Sequence, residues 1–399
     1  MGLVQVIGFG AVVGLAMALL HGYLWWRLVR GTTGPGRRRR LLTAGTVVLA
    51  VLPTLAIGTR NRLPEALATP LDWVGYSWLG LAFYLFLAVL VTEPIRVAVR
   101  LLQRSQQRAD DDALPRRQFL ARGLALGAAA VAVGTAGTGA VLANSAPVVR
   151  RVPIHLPRLD PALAGLRIVT FGDAHLSTTY GGRRFERVVE LVNAQRPDVV
   201  AIVGDLAEGT LEALREDVAP LGDLVSSQGV FFVTGNHEYF TDTENWLRHL
   251  PTLGVDVLRN ERVPIGRGTA SFDLAGIDDR TAAASGLPGH GADLDAALDG
   301  RDDDVPVVLL AHQPVQVEQA RAAGVDLQLS GHTHGGQLWP FDYAVLLDQP
   351  AVEGWSLQGS TQLYVTSGAG YWGPPMRVGA RPEITVIELQ PGDPVEPRR

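Results

Sequence analysis

Two textures divide this chain. Up to about residue 150 the apolar positions run on without interruption, and the stretches Leu3–Trp26, Leu41–Thr59, Trp73–Thr92 and Gly123–Val149 contain no charged residue. A helix rising ~1.5 Å per residue needs about 20 apolar residues to cross a ~30 Å hydrocarbon layer, and all four stretches are close to or above that length. The second is the shortest and contains Pro53. Trp25, Trp26, Trp73, Tyr76 and Trp78 fall near the ends of these stretches, where amphipathic rings favour the membrane interface. From about residue 152 the pattern shortens. β-branched runs at 166–171, 199–203, 230–234, 272–275, 305–310, 325–329, 362–366 and 384–389 predict strands. Amphipathic stretches at 184–195 and 211–226 predict helices between the first three. The organisation expected is a membrane region over 1–149 with about four helices, a linker over 150–165, an α/β domain over 166–392 and a tail over 393–399.

Charge adds an orientation. The net charge of −5 conceals 16 arginines against 6 acids before residue 151 and 19 against 34 after it, a balance of +10 and −15. The connection after the first span holds Arg27, Arg30 and Arg37 to Arg40; that after the third holds Arg96, Arg100, Arg104, Arg108, Arg116 and Arg117. The loop between spans two and three has Arg60 and Arg62 alone. By the positive-inside bias the two arginine-rich loops are cytoplasmic, which places everything after residue 150 outside the cytoplasm. Arg116-Arg117-Gln118-Phe119-Leu120, ahead of an Ala/Gly-rich span, reads as a twin-arginine export signal, and Val141-Leu142-Ala143 resembles a small-residue cleavage site. The chain has no cysteine, which excludes disulfides, thiolate zinc, iron–sulfur clusters and a cysteine nucleophile.

The chemistry concentrates where the predicted strands end. Asp173-Ala-His175, Gly204-Asp205, Gly235-Asn236-His237-Glu238, Ala311-His312 and Gly331-His332-Thr333-His334-Gly335-Gly336 each follow one of these runs. Ligands of α/β sheets collect beyond the carboxyl ends of strands, so five such clusters are expected to converge. Imidazole, carboxylate and amide without thiolate suit borderline or hard divalent ions such as Mn, Fe or Zn. Seven ligands are too many for one zinc ion and suit two metals about 3.5–4 Å apart sharing a carboxylate. Glycine beside Asp205, Asn236 and His332 lets the backbone turn sharply there.

These five parts, in this order over residues 173–334, resemble the calcineurin-like metallophosphoesterase superfamily. Gly-His-Thr-His-Gly-Gly-Gln at 331–337, Gly-Asn-His-Glu-Tyr at 235–239 and Arg-Pro-Glu-Ile at 381–384 are similar to its membrane-linked bacterial branch. The resemblance spans roughly 160–390 and implies a four-layer α/β/β/α sandwich behind the transmembrane helices. It also implies that Asp173, His175 and His334 hold one metal, that Asn236, His312 and His332 hold the other, and that Asp205 bridges them. His237 would face the substrate phosphate as the catalytic group. Glu238 and Glu208 stand where many relatives have Asp, and both keep the carboxylate.

The expected function is a membrane-anchored, extracytoplasmic phosphoesterase in which two divalent ions activate a hydroxide. Phospholipids or nucleotide-linked glycolipids are the esters envisaged, with Trp339, Phe341, Tyr343, Tyr371 and Trp372 as an apolar lip. The competing reading is a catalytically weak, metal-dependent binding or sensor module. The expected partners are the bilayer and a phosphoester; the acidic excess and the lack of a basic stripe in the second half speak against nucleic acid.

Overall fold

A computed structural model of the chain describes residues 3–59, 62–105 and 113–397. Arg60 and Arg108, used above for orientation, lie outside the described residues, as do the side chains of Arg100, Arg104, Arg116 and Arg117. The chain divides into two compact units, one running to Val141 together with Gly373–Met376, the other comprising Leu142–Trp372 and the chain from Arg377.

The first unit is helical: α1 (Leu3–Leu24), α2 (Arg37–Gly58), α3 (Glu65–Val91), α4 (Glu93–Ser105) and α5 (Ala113–Ala143). Four segments, Gly10–Arg30, Arg37–Gly58, Glu65–Val99 and Gln118–Ala143, are long and apolar enough to cross a membrane. Pro53 lies inside α2 and does not end it, as is tolerated where neighbouring helices surround the freed carbonyl. Several polar side chains pair among these helices. Trp78 Nε1 donates to His21 Nε2 at 2.9 Å, and His21 Nδ1 lies 2.9 Å from the Met17 carbonyl. Glu93 accepts from the Tyr23 hydroxyl at 2.9 Å and pairs with Arg27.

The second unit begins with β1 (Val148–Leu156), β2 (Arg167–Phe171), α6 (Gly182–Ala194), β3 (Val199–Ile202), α7 (Leu211–Val218) and β4 (Val230–Phe232). Next come α8 (Thr243–His249), β5 (Asp256–Val257), β6 (Glu261–Arg267), β7 (Ala270–Gly276), α9 (Leu294–Leu298), β8 (Val307–Leu310) and α10 (Val317–Ala322). It ends with β9 (Leu327–Ser330), α11 (Asp342–Val345), β10 (Gly354–Gln358), β11 (Thr361–Val365) and β12 (Glu383–Pro391). They form two six-stranded sheets, ordered β1-β12-β2-β3-β4-β5 and β10-β11-β9-β8-β7-β6.

Period-two alternation explains the layers. In β2, Ile168 points into the core between the sheets, where it joins Val199, Phe272, Leu274, Val308 and Leu329. Val169 and Phe171 point the other way, onto Phe185, Val188 and Val192 of α6. The far face of the second sheet is covered likewise, with Val307 and Leu309 against Leu294, Ala297 and Ala320 of α9 and α10. The result is the expected α/β/β/α sandwich. Phe185 is fully buried, and truncating such a ring to alanine costs ~3–5 kcal/mol.

One expectation fails. The linker expected over 150–165 is a strand over its first part, because β1 pairs in parallel with β12 from Val148↔Glu383 to Leu156↔Pro391. Buried Val152, Ile154 and Leu156 alternate with more exposed neighbours, a pattern that the arginines and Pro153 hide in the sequence. The second predicted helix is also shorter, ending at Val218 before a 3-10 turn over Ala219–Asp223.

Candidate metal centre

The five clusters come from both sheets. β2, β3 and β4 run parallel in one sheet and deliver Asp173/His175, Asp205 and Asn236/His237 just past their ends. β8 and β9 run parallel in the other and deliver His312 and His332/His334. A strand carries its side chains alternately to its two faces, so leaving the sheet toward a common point requires a sharp turn. Asp173, His175, Asp205, His332 and His334 all have positive φ, between 48° and 74°. Each such non-glycine conformation costs of order 1–3 kcal/mol and persists only where the surroundings over-determine it. Close approach explains two glycines: a Cβ on Gly235 would lie 2.1 Å from Asp205 Oδ1, and one on Gly331 2.2 Å from Asp173 Oδ2.

All eight predicted residues meet here. Asp173, His175 and His334 offer donor atoms lying within 4.8 Å of one another, and so do Asp205, His312 and His332. His175 Nε2 lies 2.8 Å from His334 Nε2, and His334 Nε2 lies 3.6 Å from Asp173 Oδ1. In the second group His312 Nε2 is 3.1 Å from Asn236 Oδ1, 3.2 Å from His332 Nδ1 and 3.1 Å from Asp205 Oδ2. The same Asp205 Oδ2 is 3.8 Å from His175 Nε2, so one carboxylate oxygen faces both groups. His237 stands at their edge, its Nε2 3.9 Å from Asp205 Oδ2.

Residues beneath the cluster hold it in place. Glu208 Oε1 accepts from His237 Nδ1 at 2.6 Å and also contacts His175 Nδ1, so both rings turn Nε2 toward the centre. Glu238 is buried and takes the backbone N–H groups of Asp205 at 3.0 Å, Leu206 at 2.8 Å and Gly235 at 2.7 Å. It thereby staples the β3 and β4 loops together. Arg377 is fully buried and donates to the carbonyls of Gly370 at 2.6 Å and 2.8 Å, Gly368 at 3.2 Å and His334 at 3.1 Å. Its Nη2 also lies 3.2 Å from His334 Nδ1. Gln337 exchanges two hydrogen bonds with the Trp372 backbone, at 2.9 Å and 3.0 Å. That holds the Trp372 ring 5.9 Å from the His237 ring, with Phe240 at 5.1 Å on another side. Arg377 and Phe240 escaped the sequence reading, since nothing in a lone arginine or phenylalanine signals a site. The Glu-Tyr following Asn236-His237 is the one sequence cue to the Glu238 staple.

The electrostatics fit a cation. Burial, with the neighbouring Asp205 carboxylate, raises the Asp173 carboxyl to about 7. Burial opposes charge on His312, yet Asp205 outweighs it and holds this imidazole well above its ordinary value. Burial also drives His332 down to about 3 and His334 well below its usual range, helped by His312 and Arg377 respectively. Protons thus gather on Asp173 and His312, facing imidazoles that burial keeps neutral. A set of neutral imidazoles, carboxylates and an amide oxygen, converging without a thiolate, matches borderline and hard divalent ions, and such ions displace those protons on binding.

Comparison with known proteins agrees. The family model for calcineurin-like phosphoesterases matches residues 166–336. The chain is 36% identical over 382 residues to a "Transmembrane protein with metallophosphoesterase domain" from Danio rerio, covering 92% of this chain and 86% of that one. It is 40% identical over 329 residues to the Bos taurus protein of the same name, covering 79% and 73%. An "Uncharacterized metallophosphoesterase" of Helicobacter pylori J99 is 38% identical over 283 residues, covering 70% and 74%.

Proposed function

The chain belongs to the family of transmembrane proteins with a calcineurin-like metallophosphoesterase domain, and from that premise we propose how and where it works. It is a dimetal phosphoesterase linked to a membrane. In our reading Asp173, His175 and His334 hold one divalent ion, Asn236, His312 and His332 hold the second, and Asp205 serves both. The observation that carries this assignment is Asp205 Oδ2, 3.8 Å from His175 Nε2 and 3.1 Å from His312 Nε2. Two ions so held would supply a hydroxide nucleophile near neutral pH and offset charge on the phosphoryl oxygens.

The protein's own groups do the rest. Glu208 fixes the proton of His237 on Nδ1, which leaves Nε2 facing the open side of the cluster. Once protonated, Nε2–H donates to a phosphoryl oxygen or hands its proton to the leaving oxygen. Phe240 and Trp372 flank the ring. With these two aromatic groups beside the catalytic histidine, amphiphilic esters are the substrates proposed, phospholipids and nucleotide-linked glycolipids among them. The arginine-rich loops support a domain outside the cytoplasm, and Arg116-Arg117 is read as its export signal.

The test is a screen of purified full-length protein, loaded with Mn²⁺, against phosphomonoesters, phosphodiesters and lipid phosphates. Chelated, Asp205→Asn and His237→Asn proteins serve as controls. Turnover lost on chelation and strongly reduced by both substitutions is the expected result. Metal-loaded protein that binds an ester tightly and cleaves none would favour the sensor reading instead.

A further inference from the structure

The catalytic half bears an apolar surface that hydrolysis itself does not require. Ten large apolar side chains after residue 143 are exposed, and five of them, Trp339, Phe341, Tyr343, Leu346 and Leu347, fall within nine positions. Leu347 is 88% exposed and Tyr343 65%, and the short helix α11 in this segment has no buried residue. Such a concentration departs from the scattered single exposures usual on soluble surfaces. The segment is nevertheless firmly seated. Trp339 N–H donates to the Val378 carbonyl at 2.8 Å and Val378 N–H to that of Gln337 at 2.7 Å. Asp342, its single charged residue, is half-buried with Oδ1 turned out of solvent. The same Gln337 carries the backbone of Trp372, beside His237.

Three observations identify the occupant. The polypeptide contains four segments long and apolar enough to cross a membrane. Four residues, Asn144 to Pro147, join α5 to β1, a reach of at most ~14 Å. The exposed residue types, aromatic rings with leucines, are those that settle into the headgroup–acyl boundary. No arginine lies within 339–347 and the half-chain carries −15, so attraction to anionic headgroups is not the force at work.

We propose that residues 339–347 form a membrane-docking element, with Phe341, Tyr343, Leu346 and Leu347 inserted into the interfacial layer of a lipid bilayer. Docking opens the His237 side of the site, lined by Phe240 and Trp372, toward lipid-borne phosphoesters. The second clause rests on the hydrolytic reading above; docking itself does not.

The absence of native cysteine makes the test direct. In full-length protein in phosphatidylcholine nanodiscs, an environment-sensitive fluorophore is attached at Leu347→Cys or Tyr343→Cys, with Val225→Cys and Leu357→Cys as exposed controls. A nitroxide on the lipid acyl chains should quench the first two labels several-fold more than the controls, and high salt should leave the difference intact. Equal quenching at all four sites, or a difference erased by salt, overturns the proposal. As a second arm, Phe341→Ser/Leu347→Ser should cut turnover of a bilayer-borne phosphoester about tenfold and spare a water-soluble one. Equal loss on both esters overturns the link to substrate delivery. If no ester is cleaved by any form, the hydrolytic reading fails and the quenching arm still decides docking.

Discussion

The two units handle buried polar groups in opposite ways. Among the helices, His21 accepts from Trp78 and has the Met17 carbonyl at its other nitrogen, while Glu93 is met by Tyr23 and Arg27. Such contacts are local, made between two or three side chains or with one backbone carbonyl. In the sandwich the same residue types are brought face to face in numbers that proton sharing alone serves poorly. His175, His334, His312 and His332 converge with Asp173 and Asp205, five of the cluster's residues adopt costly positive φ, and the Asp173 carboxyl is pushed to about 7. Burial of ionisable groups is therefore not itself a sign of function. What separates a site from a clasp is convergence that only an added charge would satisfy.

The strongest way to break this contrast is to remove the shared carboxylate. Asp205→Asn should lower kcat beyond the ~10–100-fold typical of residues that merely support metal ligands. Bound metal, measured by mass spectrometry, should fall with it. His237→Asn should cost ~10²–10⁴-fold in kcat while metal content stays at the wild-type level. Unchanged activity in either variant would remove that residue from the mechanism. Glu208→Gln comes next, with a loss of ~10–100-fold. Its amide can still occupy the space but holds His237 and His175 less firmly. Full activity would show that the two imidazoles need no such partner.

Much of this was legible in the sequence, for reasons that particular residues make plain. Uninterrupted apolar stretches have only one use at that length, so all four were found as helices. The strand ends were legible because Asp-x-His, Gly-Asp and Gly-His-x-His place ligand chemistry directly after β-branched runs. β1 was not legible, since Arg150, Arg151 and Pro153 hide its alternation and its partner β12 lies over 200 positions away. Two-residue β5 and the short antiparallel β10 carry too little pattern to register. Arg377 could not be found at all: its role arises from carbonyls of residues 334, 368 and 370, which fold around it only in three dimensions.

Arg377 supplies the next prediction. It is buried, its pKa is lowered by burial to about 10, and it ties the Gly368–Gly370 loop to His334. That loop in turn bonds the Asp173 backbone, since Gly370 N–H donates to the Asp173 carbonyl at 2.9 Å. Arg377→Met leaves buried carbonyls without donors at ~1–3 kcal/mol each. Thermal unfolding should show the loss, and metal content should fall on the Asp173–His175–His334 side first. Metal binding and stability unchanged from wild type would make Arg377 a bystander.

A milder test uses pH. The Asp173 carboxyl is raised in the folded, metal-free protein, so its contribution to stability is fully present below the unfolded value near 4. It is lost as pH rises through about 7. Chelated protein should accordingly melt at lower temperature at pH 8 than at pH 5.5 as far as this group governs. Metal-loaded protein should lose this dependence, because the bound cation keeps the carboxylate ionised. Parallel pH profiles with and without metal would contradict the assignment of Asp173 as a ligand.

The smallest effect sharpens the comparison from its other side. If the polar contacts among the helices are clasps, His21→Phe should cost only what one lost hydrogen bond costs. Removing the acceptor leaves Trp78 Nε1–H without its 2.9 Å partner, a loss of about 1–3 kcal/mol where no water can replace it. Phenylalanine fills much of the space of the ring, so little cavity is added. Thermal unfolding in detergent should drop by a few degrees, while kcat and KM for a water-soluble ester remain those of the wild type. A change in kcat without a change in melting would mean that this pair is no clasp. The helices would then carry function of their own, and the division between a local polar pair and an open polar cluster would have to be redrawn.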